Sequence, residues 1–487
     1  MSEQLAVIVN GKFHERDSFE KRFLTAQKGE NLLYVLKKNG YYAADCSGNG
    51  ACGKCVVRYV KNVPLPTANE RSLLRAEQLR DGYRLACRHA LVQDTEIELG
   101  AFAGRVPDVV TETGAAVTKE ADVSETVFYV ADIGTTTVAM QAVRGNEVLA
   151  TYTALNPQRS FGADVASRIA AATQGHLKEL SDAVIRCMED GMDNLVRQCG
   201  VMPGFVMVSG NTVMNYLVRE LSPQALGQYP FGPVDIGAAQ IILRGICCYL
   251  IPGISAFVGG DVLAGIGAFD MLRAGKVRLL VDLGTNGEMV LSRDGRLFCT
   301  ATAAGPAFES GVSGPFMGAD SIKSVAGLLE KGLVDETGLM REPYFTQGIA
   351  VDGIVMKQED IRELQKAKAA VALGIEFLCE RAGIEPAAIE EIYLAGGFGY
   401  YLSPESAIRI GMFPEEFRGK IRAVGNSSLL GARELGQLLA GCAQEERLER
   451  LQDACSKVQE AADSMNLAEE IDFADKYMER LSFPGTA

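Results

Sequence analysis

The chain has 487 residues, 47% hydrophobic and 23% charged, a length too great for one core and suited to several globular domains. Its 48 Lys and Arg stand against 62 Asp and Glu, and the resulting net charge of −14 argues against nucleic acid as a primary partner. No apolar run reaches membrane-spanning length, the nearest (246–266) being broken by Pro252, several glycines and Asp261, and three histidines (His14, His89 and His176) exclude a histidine-rich metal site. No targeting segment is read at the N-terminus, so the expectation is a reducing cytoplasm, without membrane association.

Residues 5–10 read as a strand, and Asn10-Gly11 as a hairpin turn. Asn31 is placed to cap a short helix that buries Leu32, Leu33, Val35 and Leu36 and ends at Asn39-Gly40. Cys46-x5-Cys52-x2-Cys55 follows in a glycine-rich loop, then a strand at 56–60, and an isolated Cys87. Three thiolates in one loop and a fourth further on are how a [2Fe–2S] cluster is held. Gly48, Gly50 and Gly53 let backbone N–H groups approach the sulfurs. Structural zinc sites usually pair two short knuckles, and a disulfide framework does not suit eight further scattered cysteines. Gly48-x4-Gly53-Lys54 imitates a phosphate loop, but Cys55 stands where Ser or Thr should meet magnesium. The segment resembles β-grasp ferredoxins, with the x5 spacing of the adrenodoxin-like branch. His89 reads first as a packing residue, with hydrogen bonding toward the cluster as the lesser reading.

Residues 101–126, rich in Ala, Val, Thr, Glu and Gly, read as a tether. An internal repeat follows. A strand at 127–131 ends in Asp132-Ile133-Gly134-Thr135-Thr136-Thr137, and a strand at 279–281 ends in Asp282-Leu283-Gly284-Thr285-Asn286-Gly287-Glu288. Each is followed by a second β-like run and a turn, which makes two hairpins tipped by Asp-x-Gly-Thr. The glycine admits a phosphate, the hydroxyls and N–H groups donate to it, and the aspartate can hold magnesium through water. A strand at 389–394 runs into Ala395-Gly396-Gly397-Phe398-Gly399, where paired glycines let a purine or ribose lie on the backbone. Cys187, Cys199, Cys247, Cys248, Cys299, Cys379, Cys442 and Cys455 lack ligand spacing and read as small core residues. Residues 445–451 and 459–478 read as solvated helices packed by one face.

The paired hairpins and the Gly-Gly strand resemble the actin, sugar-kinase and heat-shock (ASKHA) ATPase superfamily, a duplicated RNase H-like fold. The resemblance implies ATP and Mg2+ as ligands. It makes Asp132, Gly134, Thr135 and Thr136 the first phosphate motif, Asp282, Gly284, Thr285 and Asn286 the second, and Gly396, Gly397 and Phe398 the adenosine motif. Asp132, Asp282 and Asp261 become the candidate catalytic carboxylates. Asp261, in Val258-Gly259-Gly260-Asp261, is the candidate to position the attacking water and reads equally as a helix N-cap. Residues 425–432, with small Gly431 and Ala432, resemble the second connecting helix.

With Cys46, Cys52, Cys55 and Cys87 as metal ligands ahead of such an ATPase, the chain resembles the ATP-dependent reductive activators of corrinoid proteins. Residues 209–214 and 258–261 look like signature stretches of that family. The expected fold class is α+β and α/β multidomain: a β-grasp ferredoxin at 1–99, a linker at 100–126, a first RNase H-like region at 127–205, the remaining ASKHA ATPase region at 206–450, and a C-terminal helical tail at 451–487. The resemblance implies ATP-dependent reduction of Co(II) to Co(I) in a corrinoid protein of a methyltransferase system, supplied by an upstream low-potential donor, and favours a homodimer. The other readings are an ATP-dependent activator of another low-potential metalloenzyme, such as the acyl-CoA dehydratase activators with their intersubunit [4Fe–4S] cluster, and a ferredoxin-fused nucleotide-sensing or small-molecule kinase module.

Overall fold

The computed structural model describes residues 4–11, 20–39, 55–74, 76–99, 111, 126–162, 164–284, 286–302, 319–351 and 354–485. They fall into two compact units, one drawn chiefly from 1–108 and the other from 109 onward. Among the described residues, no helix is long and apolar enough to cross a membrane.

The N-terminal unit is one mixed sheet of β1 (Gln4–Gly11), β2 (Glu20–Gln27), β3 (Val56–Lys61), β4 (Tyr83–Leu85) and β5 (Thr95–Leu99), in the order β2-β1-β5-β3-β4. Alternate residues Leu5, Val7 and Val9 of β1 turn inward, as do Thr95, Ile97 and Leu99 of β5. Helix Leu32–Lys38 lays Leu32, Leu33, Val35 and Leu36 on that core, and its entry is fixed by Asn31, whose Oδ1 accepts from the Leu33 amide at 3.0 Å. The predicted turn at Asn10-Gly11 is still strand: Asn10 pairs with Lys21 and Gly11 with Glu20. Asn10 stays in register because it also pairs with β5 and its side chain donates to Glu96 Oε1 at 2.9 Å. The connection at 12–19 and the cysteine loop at 40–54 lie outside the described residues.

The larger unit repeats one topology. Its first sheet contains β6 (Val127–Ile133), β7 (Thr137–Arg144), β8 (Glu147–Leu155), β9 (Val206–Gly210), β10 (Ala239–Leu243) and β11 (Ile246–Leu250), ordered β10-β11-β9-β6-β7-β8. Its second contains β12 (Arg278–Leu283), β13 (Gly287–Arg293), β14 (Arg296–Thr302), β17 (Glu391–Ala395), β18 (Ile421–Gly425) and β19 (Ala462–Met465), ordered β18-β17-β12-β13-β14-β19. The ribbon of β15 (Ile349–Val351) and β16 (Ile354–Met356) stands apart. In both sheets an antiparallel three-strand meander is joined on its first strand by parallel neighbours: β6 to β9 and β11, β12 to β17 and β18. This is the RNase H-like pattern, twice. The central strands read as continuous apolar runs because both faces are covered.

Two helices, Gly260–Ala268 and Ser427–Ala440, lie against each other and against these sheets. Their approach is so close that a β-carbon at Gly431 would sit 2.0 Å from the Ala264 carbonyl oxygen, and one at Gly436 would sit 2.2 Å from the Phe128 ring. The tail differs from the all-helical expectation. Helix Arg447–Ala461 is followed by β19, which pairs in parallel with β14, before helix Phe473–Leu481. The edge of β14 offers unpaired backbone groups, and the Thr300 hydroxyl donates to the Met465 carbonyl at 3.1 Å, so the strand wins over the helical propensity of its flanks.

Candidate functional site

The ferredoxin-like unit presents Cys55 and Cys87, both buried, on adjoining backbone. Cys55 leads directly into β3, and Cys87 sits in a 3-10 turn (Ala86–Arg88) after β4. The Cys87 amide points at Cys55 Sγ at 3.4 Å, and the Ala86 amide donates to the Cys55 carbonyl at 2.7 Å. Asn31 Nδ2 holds the Cys87 carbonyl at 2.9 Å. A backbone N–H directed at a buried sulfur is the donor arrangement a thiolate-held cluster needs. Cys46 and Cys52 lie outside the described residues.

A rigid base stands beside Cys87. Glu70, fully buried, accepts from the Thr67 and Leu85 amides, each at 2.6 Å, and meets His89 Nε2 at 2.8 Å. Burial pushes its carboxyl up, but the two amides and the His89 ring outweigh burial and hold it below the usual carboxylate range. His89 is therefore spent on Glu70, which agrees with its reading as a packing residue.

In the larger unit the two hairpin tips, the start of helix Gly260–Ala268 and the start of helix Ser427–Ala440 come together. Asp132 ends β6 level with Ser209 of β9, and Asp282 ends β12 level with Ala395 of β17. Asp132 accepts from Asn426 Nδ2 and from the Ser428 hydroxyl, both at 2.8 Å. Asp282 accepts from the Ser427 hydroxyl at 2.9 Å. Asp261 is in the first turn of its helix and accepts from the Val262 amide at 2.8 Å; the N-cap position belongs to Gly259, which removes the N-cap reading of Asp261. Glu288 of β13, paired directly with Asp282 of β12, adds a fourth carboxylate.

Their electrostatics follow from crowding in a desolvated place. Burial lifts Asp261 to about 7, opposed by the Val262 amide and reinforced by Asp132 and Asp282. Burial likewise lifts Asp282 to about 6 against the Ser427 bond, with Asp132 adding to the rise. Asp132 is raised by burial despite Asn426 and Ser428, and Glu288 stands well above its usual range from burial, Asp261 and Asp282. Each of the four is thus harder to ionise than a free carboxyl, and an added cation would ease their ionisation. Among the described residues no group of three or more His, Cys, Asp or Glu is arranged to ligate a metal directly.

The first tip is anchored from below. Asn156 Nδ2 donates to the Gly134 carbonyl at 2.8 Å, the Asn156 amide to Thr136 at 2.9 Å, and the Arg168 guanidinium to Thr135. Carbonyl and following N–H point opposite ways across a trans peptide. The amides of Thr135, Thr136 and Thr137 thus face away from these anchors. Arg168 is fully buried and also reaches Gln158 Oε1 at 3.4 Å and Met214 Sδ at 3.2 Å. In the second tip Gly284 and Asn286 flank Thr285, which is outside the described residues. Gly396, with φ +86°, opens helix Gly396–Tyr401 against Asp282, while Gly397 is exposed and Phe398 buried beside it.

Sequence reading named Asp132, Asp261 and Asp282, which the fold brings together. It passed over Arg168, Asn156, Asn426, Ser427 and Ser428, and quoted Glu288 only as the end of a motif. The sole signal for the serines was their place at the head of a helix noted for its small residues.

Three family models match in succession: a 2Fe-2S iron-sulfur cluster binding domain over residues 15–92, the RACo middle region over 129–274, and the C-terminal domain of RACo, the ASKHA domain, over 276–323 and 315–487. The corrinoid activation enzyme RamQ of Eubacterium limosum is 28% identical over 375 residues, covering 62% of this chain and 63% of that protein. The [Co(II) methylated amine-specific corrinoid protein] reductase of Methanosarcina barkeri is 26% identical over 282 residues, covering 48% and 51%. The chain thus matches between half and two thirds of the length of these relatives. The solved structure of a reductive activator for corrinoid, iron-sulfur protein superposes over 99% of both chains with a TM-score of 0.65 at 22% identity, a likeness of fold. The ferredoxin model supports a [2Fe–2S] cluster and the ASKHA model supports nucleotide binding. With a ferredoxin domain followed by both RACo regions, the chain belongs to the RACo family, an N-terminal ferredoxin joined to an ASKHA fold.

Proposed function

We propose that this protein is an ATP-dependent reductive activator that returns Co(II) in a corrinoid protein to Co(I), one electron per event, in support of methyl transfer. The observation that carries the reading is the union, in one chain of the RACo family, of paired buried thiols with a buried site where carboxylates from both sheet repeats converge. Cys46, Cys52, Cys55 and Cys87 would hold the [2Fe–2S] cluster, which when bound supplies the single electron. An upstream low-potential donor would replenish it, in a reducing cytoplasm.

In the cleft, the tips at Asp132–Thr136 and Asp282–Asn286 would grip a triphosphate, with Gly396, Gly397 and Phe398 beside the adenosine. Asp132 and Asp282 would orient the water shell of Mg2+, whose charge relieves the crowding that lifts their pKa values. Asp261, held near neutrality, is suited to orient a water and take its proton. The domain limits that go with this reading are a ferredoxin at 1–99, a linker at 100–126, an ATPase at 127–450 and a packed tail at 451–487.

Energetics give ATP its purpose. Plant-type clusters lie near about −400 mV, and a Co(II)/Co(I) couple below that makes direct transfer uphill. A gap of ~100–200 mV costs roughly 2–5 kcal/mol, within the range that differential binding of nucleotide states supplies. The test mixes reduced protein with a Co(II) corrinoid protein and follows cobalt absorbance. Co(I) should accumulate with ATP and not without it; equal amounts in both sink the coupling. A Cys55→Ser variant that still transfers phosphate to a small molecule would instead support a kinase.

A further inference from the structure

Three consecutive residues at the head of helix Ser427–Ala440 serve both tip aspartates. Asn426 Nδ2 and the Ser428 hydroxyl take the two oxygens of Asp132, Oδ2 and Oδ1, each at 2.8 Å. The Ser427 hydroxyl takes Asp282 Oδ2 at 2.9 Å. Asp132 belongs to the first sheet, whereas the helix emerges from β18 of the second, so the Asn426 and Ser428 bonds cross from one repeat to the other.

Proton accounting fixes the direction of the chain of bonds. Ser428 Oγ lies 2.8 Å from both Asp132 Oδ1 and Ser209 Oγ. A hydroxyl carries one proton, and an ionised carboxylate only accepts. With Asp132 ionised, as it is when it faces a cation, Ser428 donates to Asp132, and Ser209, level with Asp132 on β9, donates to Ser428. Asn426 is equally committed: its Oδ1 accepts from the Leu429 amide at 2.7 Å as N-cap, which aims its Nδ2 at Asp132. Ser427 and Ser428 are both buried, so water is a poor substitute for either hydroxyl. The helix is seated without slack, since Gly431 meets the Ala264 backbone and Gly436 the Phe128 ring.

We propose that Ser428, aided by Ser209 and Asn426, is a positioning residue that holds Asp132 for the Mg2+–nucleotide complex and ties its carboxylate to the opposite repeat; Ser427 does the same for Asp282 within its own repeat. This rests on the reading of the cleft as a nucleotide site. Both oxygens of Asp132 are fixed from one helix end, so a cation drawn to Asp132 also bears on the helix that packs against Gly260–Ala268. Asp261, two residues into that partner helix, completes the circuit.

The test uses the full-length protein and a fluorescent ATP analogue, with magnesium titrated at fixed nucleotide. Circular dichroism confirms that each variant is folded. Ser428→Ala should raise the magnesium concentration for half-maximal binding about tenfold or more, the size expected for losing a hydrogen bond to a charged group. In an Asp132→Asn background the same change should have little effect, because the partner charge is already gone. An equal loss in both backgrounds would mean a merely structural role and overturn the proposal, as would unchanged magnesium dependence in Ser428→Ala. If the unaltered protein shows no magnesium-dependent nucleotide binding, the cleft reading falls and this inference with it. Normal binding by the unaltered protein with an insensitive Ser428→Ala overturns the inference alone.

Discussion

Gly396 is constrained twice over, by its backbone angle and by its neighbours. Its φ of +86° is one that L side chains rarely adopt, and an added β-carbon would lie 2.3 Å from the Leu283 carbonyl oxygen and 2.5 Å from Asp282 Oδ1. Gly396→Ala should cost about 1–3 kcal/mol in a chemical unfolding experiment, and should weaken nucleotide binding through displacement of Asp282. An unaltered unfolding midpoint would show that the backbone relaxes there. Arg168 makes the complementary case. Arg168→Met should leave the Thr135 carbonyl without that donor, at about 1–3 kcal/mol, and Arg168→Lys should recover only part because an ammonium lacks the planar fork. Thermal melts of the two variants rank them directly. Gly396 was legible only in company: Gly-Gly is often a simple turn, and it gained meaning from following two Asp-x-Gly-Thr hairpins. Arg168 was not, since a lone arginine in a short helix looks like a solvated one until the fold buries it under the first tip.

At the scale of elements, the strands carrying the site were readable from apolar runs ending in Asp-x-Gly, a pattern forced by covering both sheet faces. Errors fell where tertiary pairing overruled local chemistry. Asn10-Gly11 has the composition of a turn, but pairing with β2 on one side and β5 on the other keeps it extended. Residues 462–465 look helical, yet they complete the edge of the second sheet. The second connecting helix was recognised by its small residues, and the crossing shows why these must be small. Gly431→Val would drive a side chain into the Ala264 backbone, where the built β-carbon is already 2.0 Å from the carbonyl oxygen. Overpacking of that kind costs roughly 1–3 kcal/mol or more. The expected outcome is a lowered urea midpoint and a weaker protection of the protein by nucleotide against heat. Retention of both would show that the crossing has room to open.

For the whole molecule, two separately readable patterns, a thiolate loop and a repeated phosphate tip, restricted function more than either did alone. What composition could not disclose is that the repeats gather Asp132, Asp261, Asp282 and Glu288 into one desolvated place. That gathering has a measurable consequence for stability. In the folded chain Asp261 titrates at about 7 and Asp282 at about 6, whereas an unfolded aspartate titrates near about 3.9. Between roughly pH 4 and 7 the folded chain thus holds protons that the unfolded chain has released. Stability must therefore fall as pH rises through this window, by up to about 1.4 kcal/mol per pH unit for each proton held. Magnesium and nucleotide should flatten the slope, because an added cation lowers the same pKa values and favours the ionised cleft. Melting the nucleotide-free protein from pH 5 to pH 8 should show the transition of the larger unit moving to lower temperature. Asp261→Asn should remove a good part of that slope by deleting one of the retained protons. A transition that is flat in the nucleotide-free protein, or just as steep in Asp261→Asn, would mean that the cleft carboxylates are ionised and compensated already, and that a cation is not needed to settle them.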